Sequence, residues 1–187
     1  MSTSLSGKSI AILATDGFEQ VELTKPKKAL EDAGATVHVV SLESGSIKGW
    51  DEDDWGDTVE VDKTLADADA SDYDALVLPG GQINPDKLRV ESAALDFIKA
   101  FDAAGTPIAA ICHAPWLLIE AGVIEGRHAT SYTSIRTDLK NAGAKVQDES
   151  VVVCPHGNGP LITSRNPDDI PDFNDAIIEA IGQGQPA

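Results

Sequence analysis

The sequence has 187 residues, which is long enough for one well-packed domain and short for two. A hydrophobic fraction of 42% supports a folded core and excludes a disordered acidic chain. The 31 acidic residues outnumber the 14 basic ones and give a formal net charge of −17. Such a surface repels phosphate backbones and anionic lipids, so the charge argues against nucleic-acid and membrane partners.

Part of this acidity is concentrated between residues 51 and 74, where 11 acidic residues accompany Lys63 as the one basic residue. We interpret this segment as a solvated face, although adaptation to high salt would give the same balance. Residues 51–54 lack the spacing and the glycine of an EF-hand loop, so we predict no metal site there. We predict no cofactor either.

No apolar run approaches the roughly 18 residues that a membrane helix needs, and the first residues lack a secretion signal. We therefore predict a cytoplasmic protein. Cys112 and Cys154 are too few for a disulfide framework and lie in no zinc-binding spacing. Each cysteine is thus to be explained by packing or by reactivity.

Short apolar runs alternate with amphipathic segments along the chain, which is typical of a mostly parallel sheet with helices on both faces. We predict strands at residues 9–15, 36–42, 74–79, 107–111, 128–132, 151–154 and 161–164. We predict helices at residues 24–34, 92–105, 114–121, 135–142 and 170–181. Residues 43–72 are predicted to be loop apart from a short strand at 58–61. The chain is expected to form one domain, with flexible ends at residues 1–7 and 182–187.

Three polar segments follow predicted strands of this α/β fold. They are residues 16–19 after the first strand, Gly80-Gly81 after the third, and Cys112-His113 after the fourth. Ligands of open α/β sheets gather beyond the carboxyl ends of the strands. We therefore expect these three segments to converge on one site.

Cys112 lies at an abrupt change from strand to helix, which resembles a nucleophile elbow. The positive end of the following helix favours the thiolate, and the His113 amide would serve as one oxyanion donor. Gly80 and Gly81 lack a Cβ and can supply further amides. Glu19, in the loop after the first strand, is a candidate partner that would donate a hydrogen bond to the thiolate if burial keeps it protonated.

Four histidines occur, and only His113 adjoins a candidate nucleophile. Side chains of consecutive residues usually diverge, so a pair formed by Cys112 and His113 requires a strained turn. His38 is predicted to be a packed or surface residue, and His128 has no evident partner. His156 remains a candidate for reaching the site.

Five ordered motifs along nearly the whole chain are similar to the PfpI family of the DJ-1 superfamily. They are DGFEQVEL from residue 16, LPGG with NPDKLR from 78, AICHAP from 110, SYTSIRTD from 131 and ITSRNPDDIP from 162. The resemblance implies a flavodoxin-like three-layer sandwich, Cys112 as nucleophile, Glu19 as its protonated partner and His113 as the catalytic histidine. It also implies that Asp86 of a neighbouring subunit orients His113, in a homodimer or a hexamer. Tyr132 is assigned to the substrate site with Gly80 and Gly81.

The resemblance implies an intracellular cysteine peptidase, or a deglycase or glyoxalase acting on small carbonyl compounds, glycated substrates or peptides, within the stress response. Asp86 is shorter than the glutamate of some members, and residues 154–160 are longer and more polar than the expected turn. A non-enzymatic redox sensor that forms a sulfinic acid on Cys112 is the alternative. A class I glutamine amidotransferase is disfavoured, because His156 is not followed by the glutamate of a His-x-Glu pair.

Overall fold

A computed structural model describes residues 3–184. Its strands, numbered along the chain, are β1 (Ser9–Leu13), β2 (Phe18–Glu19), β3 (Thr36–Ser41), β4 (Ser46–Asp51), β5 (Asp54–Glu60), β6 (Lys63–Thr64), β7 (Ala75–Leu78), β8 (Ile108–Ile111), β9 (His128–Ala129), β10 (Lys145–Val146), β11 (Val151–Cys154) and β12 (Leu161–Ser164). Its α-helices are α1 (Gln20–Asp32), α2 (Ile83–Leu88), α3 (Ser92–Ala103), α4 (Pro115–Glu120), α5 (Arg136–Asn141) and α6 (Ile170–Gly182).

Seven strands form the central sheet in the order β11-β12-β8-β7-β1-β3-β6. Every neighbouring pair is parallel except β11 and β12, which are antiparallel at one edge. The parallel strands carry apolar residues on both faces, and helices cover both. Along β1, Ala11 and Leu13 face one core, whereas Ile10 and Ile12 face the other. The prediction of a mostly parallel α/β sandwich is confirmed.

Each face of the sheet has its own helices. Helices α3, α4 and α5 bury residues such as Phe101, Leu117 and Leu139 against the first face. Helices α1 and α6 bury residues such as Leu30 and Phe173 against the second. The apolar spacing along these helices follows the 3.6-residue period, which is why the sequence located them.

The acidic segment is folded, so the prediction that residues 43–72 are mainly loop is wrong. Strands β4 and β5 form an antiparallel hairpin that turns at Glu52, a residue with φ of 58°, and β2 pairs in parallel with β4. The rings of Trp50 and Trp55 meet edge to face across the hairpin, 5.4 Å apart. Most of β5 is exposed on both faces, so it lacks the alternation that marks a half-buried strand.

The two chain ends were predicted to be flexible. Residues 1, 2 and 185–187 lie outside the described residues. Leu5 is fully buried, and its N–H donates to the Ala33 carbonyl at 2.8 Å, which packs the N-terminal segment against the end of α1. Within residues 3–184, no helix is long and apolar enough to cross a membrane.

Candidate active site

Cys112 lies in the turn between β8 and α4, at the carboxyl end of a central strand. Its φ of 65° is in the left-handed region, which costs a non-glycine residue roughly 1–2 kcal/mol. Two backbone hydrogen bonds hold the turn: Cys112 N–H donates to the Ser164 carbonyl at 3.0 Å, and Tyr132 N–H donates to the Cys112 carbonyl at 2.8 Å. Strain of this kind persists only where the surroundings enforce it, as they do here.

The turn brings the side chains of two consecutive residues together. Cys112 Sγ lies 3.1 Å from His113 Nδ1. The His113 ring stacks on Tyr132, with centroids 4.6 Å apart, and meets the Trp116 ring edge-on at 5.2 Å. Burial lowers the pKa of His113. The lowered pKa favours the neutral imidazole, whose Nδ1 lies within reach of the thiol proton.

The carboxyl that contacts Cys112 belongs to Glu22, so the assignment of this role to Glu19 is corrected. Glu22 is fully buried, and its Oε2 accepts a hydrogen bond from the Gly80 N–H at 2.8 Å. Its carboxyl also interacts with the Cys112 thiol. Within residues 3–184, the second carboxyl oxygen, Oε1, is buried and makes no hydrogen bond of standard geometry.

The start of α1 explains this correction. The sequence predicted a helix from residue 24, but α1 begins at Gln20, which places Glu22 in its first turn. Glu22 precedes the buried residues Pro26 and Leu30 at four-residue spacing, so it shares their inward-facing stripe. A carboxyl on that apolar stripe was the sequence signal that could have identified Glu22 as the buried acid. Glu19 instead belongs to β2, where its side chain is half-buried and hydrogen-bonds the Glu52 backbone.

Burial raises the pKa of Glu22 to about 8. Burial also raises the pKa of the Cys112 thiol, and the negative charge of Glu22 raises it further. Hydrogen bonds from the N–H groups of Gly81 and His113 to the sulfur act in the opposite direction and lower it. Protonation of Glu22 therefore removes the charge that opposes the thiolate.

The two glycines predicted as oxyanion donors both contact Glu22. The Gly80 N–H donates to Glu22 Oε2, whereas the Gly81 N–H interacts with both the Glu22 carboxyl and the Cys112 sulfur. The His113 N–H also interacts with the sulfur. A Cβ at Gly80 would lie 2.5 Å from Glu22 Oε2 and 2.7 Å from Cys112 Cβ, so only glycine fits between these two side chains.

Asp86 and Tyr132 lie at the surface around this site. Tyr132 is 41% exposed while one face of its ring covers His113. Asp86 is exposed on α2, and the neighbouring Asn84 is fully buried and accepts a hydrogen bond from the Thr15 N–H. Asn84 thus fixes α2 beside the site and leaves Asp86 facing outward, so its orientation of His113 in a second copy stays a prediction.

Cys154 and His156 lie elsewhere. Cys154 pairs with Leu161 at the start of β12, whereas the Cys112 backbone bonds the end of that strand. The His156 ring lies 6.3 Å from that of His128, in the same region as Cys154. The structure does not bring His156 to Cys112. In the part of the chain that the structure describes, no group of three or more histidine, cysteine or acidic residues could hold a metal ion.

The model of the family described as DJ-1/PfpI matches residues 8–180. The chain belongs to the DJ-1/PfpI family.

Three relatives are similar over nearly their full lengths. General stress protein 18 of Bacillus subtilis (strain 168) is 47% identical over 169 residues, which cover 90% of this chain and 94% of the relative. YraA of the same organism, named as a proposed cysteine protease, is 45% identical and covers 89% and 94%. Protein/nucleic acid deglycase 2 of Escherichia coli (strain K12) is 40% identical and covers 94% and 98%.

Among solved structures, DJ-1beta of Drosophila melanogaster has the same fold. It superposes with a TM-score of 0.82 at 34% identity, covering 95% of this chain and 92% of that one. The sequence-based recognition of the family is confirmed.

Proposed function

We propose that this chain is a cysteine-nucleophile enzyme that acts on reactive carbonyl compounds and their adducts. The observation that carries the proposal is the 3.1 Å approach of Cys112 Sγ to His113 Nδ1 at a left-handed turn. The names of the deglycase and general stress relatives support the same direction. We extend the proposal to a role in the stress response and to a cytoplasmic location.

In the first step, His113 Nδ1 takes the proton of the Cys112 thiol, and Sγ bonds to the carbonyl carbon of the substrate. The carbon–oxygen π pair moves onto the oxygen, for which the proposed donors are the N–H groups of Gly81 and His113, both of which interact with the Cys112 sulfur. The His113 imidazolium then returns the proton to that oxygen. With Glu22 protonated, no carboxylate opposes the negative charge on sulfur.

The burial of the reacting groups favours small substrates. Cys112 is 6% exposed and His113 is 8% exposed, and the ring of Tyr132 lies over the histidine. A small dicarbonyl compound or the carbonyl end of a glycated side chain reaches such a thiol more readily than an extended peptide does. Tyr132, half in solvent, is the proposed contact for the rest of the substrate.

Peptidase activity uses the same first step on an amide carbonyl, and the name of YraA supports it. The carbon–nitrogen bond then breaks, His113 protonates the departing amine, and water hydrolyses the thioester. We further propose that the chain forms a homodimer, or a hexamer, in which Asp86 of one copy approaches His113 of another. The exposure of Asp86 beside the site supports this arrangement.

A redox sensor is the second candidate function. The contact between Cys112 and the buried Glu22 favours it, because a protonated carboxyl can donate a hydrogen bond to an oxygen added to the sulfur. A small oxidant such as hydrogen peroxide can also reach a thiol that is largely buried.

One set of assays separates these functions. Wild type, Cys112→Ser and the control Cys154→Ser are compared on methylglyoxal, a glycated amine, a glycated thiol and a fluorogenic peptide. We expect turnover of a carbonyl substrate that Cys112→Ser abolishes and Cys154→Ser keeps. Full activity in Cys112→Ser would contradict the proposal. Fast peroxide oxidation of Cys112 without turnover of any substrate would favour the sensor.

A further inference from the structure

Each ring nitrogen of His113 has a side-chain partner. Nδ1 lies 3.1 Å from Cys112 Sγ, and Nε2 lies 3.3 Å from the hydroxyl oxygen of Ser134. We propose that Ser134 is a positioning residue, whose hydroxyl oxygen accepts a hydrogen bond from the Nε2–H of His113 and thereby fixes the tautomer and orientation of the ring. The inference rests on the proposed function, in which His113 carries the proton of Cys112.

The chemistry of imidazole explains what such an acceptor would do. A neutral ring has one N–H and one lone pair, so Nδ1 can take the thiol proton only if the ring proton lies on Nε2. The Ser134 oxygen then accepts that Nε2–H. After the transfer both nitrogens carry protons: Nδ1–H faces the thiolate, and Nε2–H still donates to Ser134. One hydroxyl therefore serves both protonation states of His113.

The backbone around Ser134 is tied to the cysteine turn. Ser134 lies in a short 3₁₀ turn, Thr133–Ile135, directly after Tyr132. Tyr132 N–H donates to the Cys112 carbonyl at 2.8 Å, and Ile135, which is 1% exposed, anchors the other end of the turn in the core. The hydroxyl is thus held beside Nε2 by the same contacts that hold Tyr132 against the ring.

Several charged and titratable groups of the same chain lie around His113. The Cys112 thiol, backed by Glu22, faces Nδ1, and the Tyr132 phenol stacks on the ring. The Arg89 guanidinium packs on Trp116, which meets His113 edge-on.

Burial lowers the pKa of His113, and a hydroxyl at Nε2 adds no charge that would raise it again. The contact with Ser134 is therefore compatible with a neutral ring, which a base requires.

The test compares Ser134→Ala and Ser134→Thr in the full-length protein. The exposed neighbour Thr133→Ala is the matched control. Long-range nitrogen–proton NMR reports the tautomer of His113, and mass spectrometry of the Cys112 peptide follows its rate of alkylation by iodoacetamide against pH. Steady-state kinetics on methylglyoxal give kcat and KM.

For Ser134→Ala we expect loss of the preference for the Nε2–H tautomer and alkylation at neutral pH slowed by about fivefold, as for one lost hydrogen bond. Turnover should show a similar decrease in kcat and little change in KM. Threonine at position 134, which keeps the hydroxyl, should restore both measurements, and Thr133→Ala should match the wild type.

An unchanged tautomer and alkylation profile in Ser134→Ala would overturn the proposal. A variant Ser134→Thr as slow as Ser134→Ala, with both less stable to heat, would assign Ser134 a structural role only. If the wild type turns over no carbonyl substrate, the proposed function fails, whereas NMR and alkylation still decide the role of Ser134.

Discussion

Replacing Glu22 by glutamine removes the titration of a buried carboxyl while keeping its shape. Glu22 is fully buried between Gly80 and Cys112, and burial raises its pKa to about 8 from an ordinary value of 4.5. Glutamine resembles the protonated carboxyl, with an oxygen to accept the Gly80 N–H and an N–H to direct at the sulfur. The substitution therefore isolates the effect of the charge.

The sign of the effect follows from proton linkage. The folded protein holds the Glu22 proton more tightly than the unfolded chain does, so the stability from this group is complete below pH 4.5 and is lost as the pH rises through 8. At about 1.4 kcal/mol for each pH unit, the loss reaches roughly 3 kcal/mol at pH 7. Glu22→Gln should not show this loss of stability, because the glutamine side chain does not titrate.

The assay is urea unfolding at pH 5, 6, 7 and 8, under reducing conditions and at one protein concentration so that self-association is constant. The stability of Glu22→Gln relative to the wild type should increase steadily from pH 5 to 8. Glu19→Gln is the matched control and should follow the wild type closely, because Glu19 is half-buried and solvent screens its charge. A flat difference for Glu22→Gln, or a larger slope for Glu19→Gln, would refute the reasoning.

Two further substitutions test the surroundings of the cysteines. Gly81 and Gly122 have φ of 82° and 72°, but a Cβ at Gly81 would meet backbone atoms at 2.6 Å, whereas one at Gly122 meets nothing within 4 Å. Gly81→Ala should therefore lose about 1–3 kcal/mol more stability than Gly122→Ala, and equal losses in urea unfolding would contradict the predicted clash. Burial raises the pKa of the Cys154 thiol, but hydrogen bonds, the first from Arg127, outweigh this and lower it. Arg127→Met should raise that pKa, measured by alkylation in urea-free buffer. The same substitution should lower the free energy of unfolding in urea by about 2–3 kcal/mol. A decrease no larger than that caused by the exposed control Lys140→Met would contradict this prediction.

The elements that the sequence located are those whose burial is one-sided and periodic. Leu95, Ile98 and Phe101 marked α3 because they recur at helical spacing. Most of β5 was missed because its side chains are largely exposed on both faces, so little alternation remains to detect. Strand β4 does alternate, but one of its two buried residues is Gly49, which adds no apolar side chain to the pattern. The turn at Cys112 was predicted from the change of strand to helix, and its φ of 65° brings the consecutive Cys112 and His113 together.

The sequence by itself determined the fold class, the family and the reactive candidate Cys112, because periodicity and motif order are properties of the linear chain. Only the tertiary structure decided which acid adjoins the thiol. Pairing with the hairpin draws Glu19 into β2, and the start of α1 at Gln20 turns Glu22 inward toward Gly80 and Cys112. A shift of three residues in the chain therefore decides which carboxyl is buried, and burial is what raises its pKa.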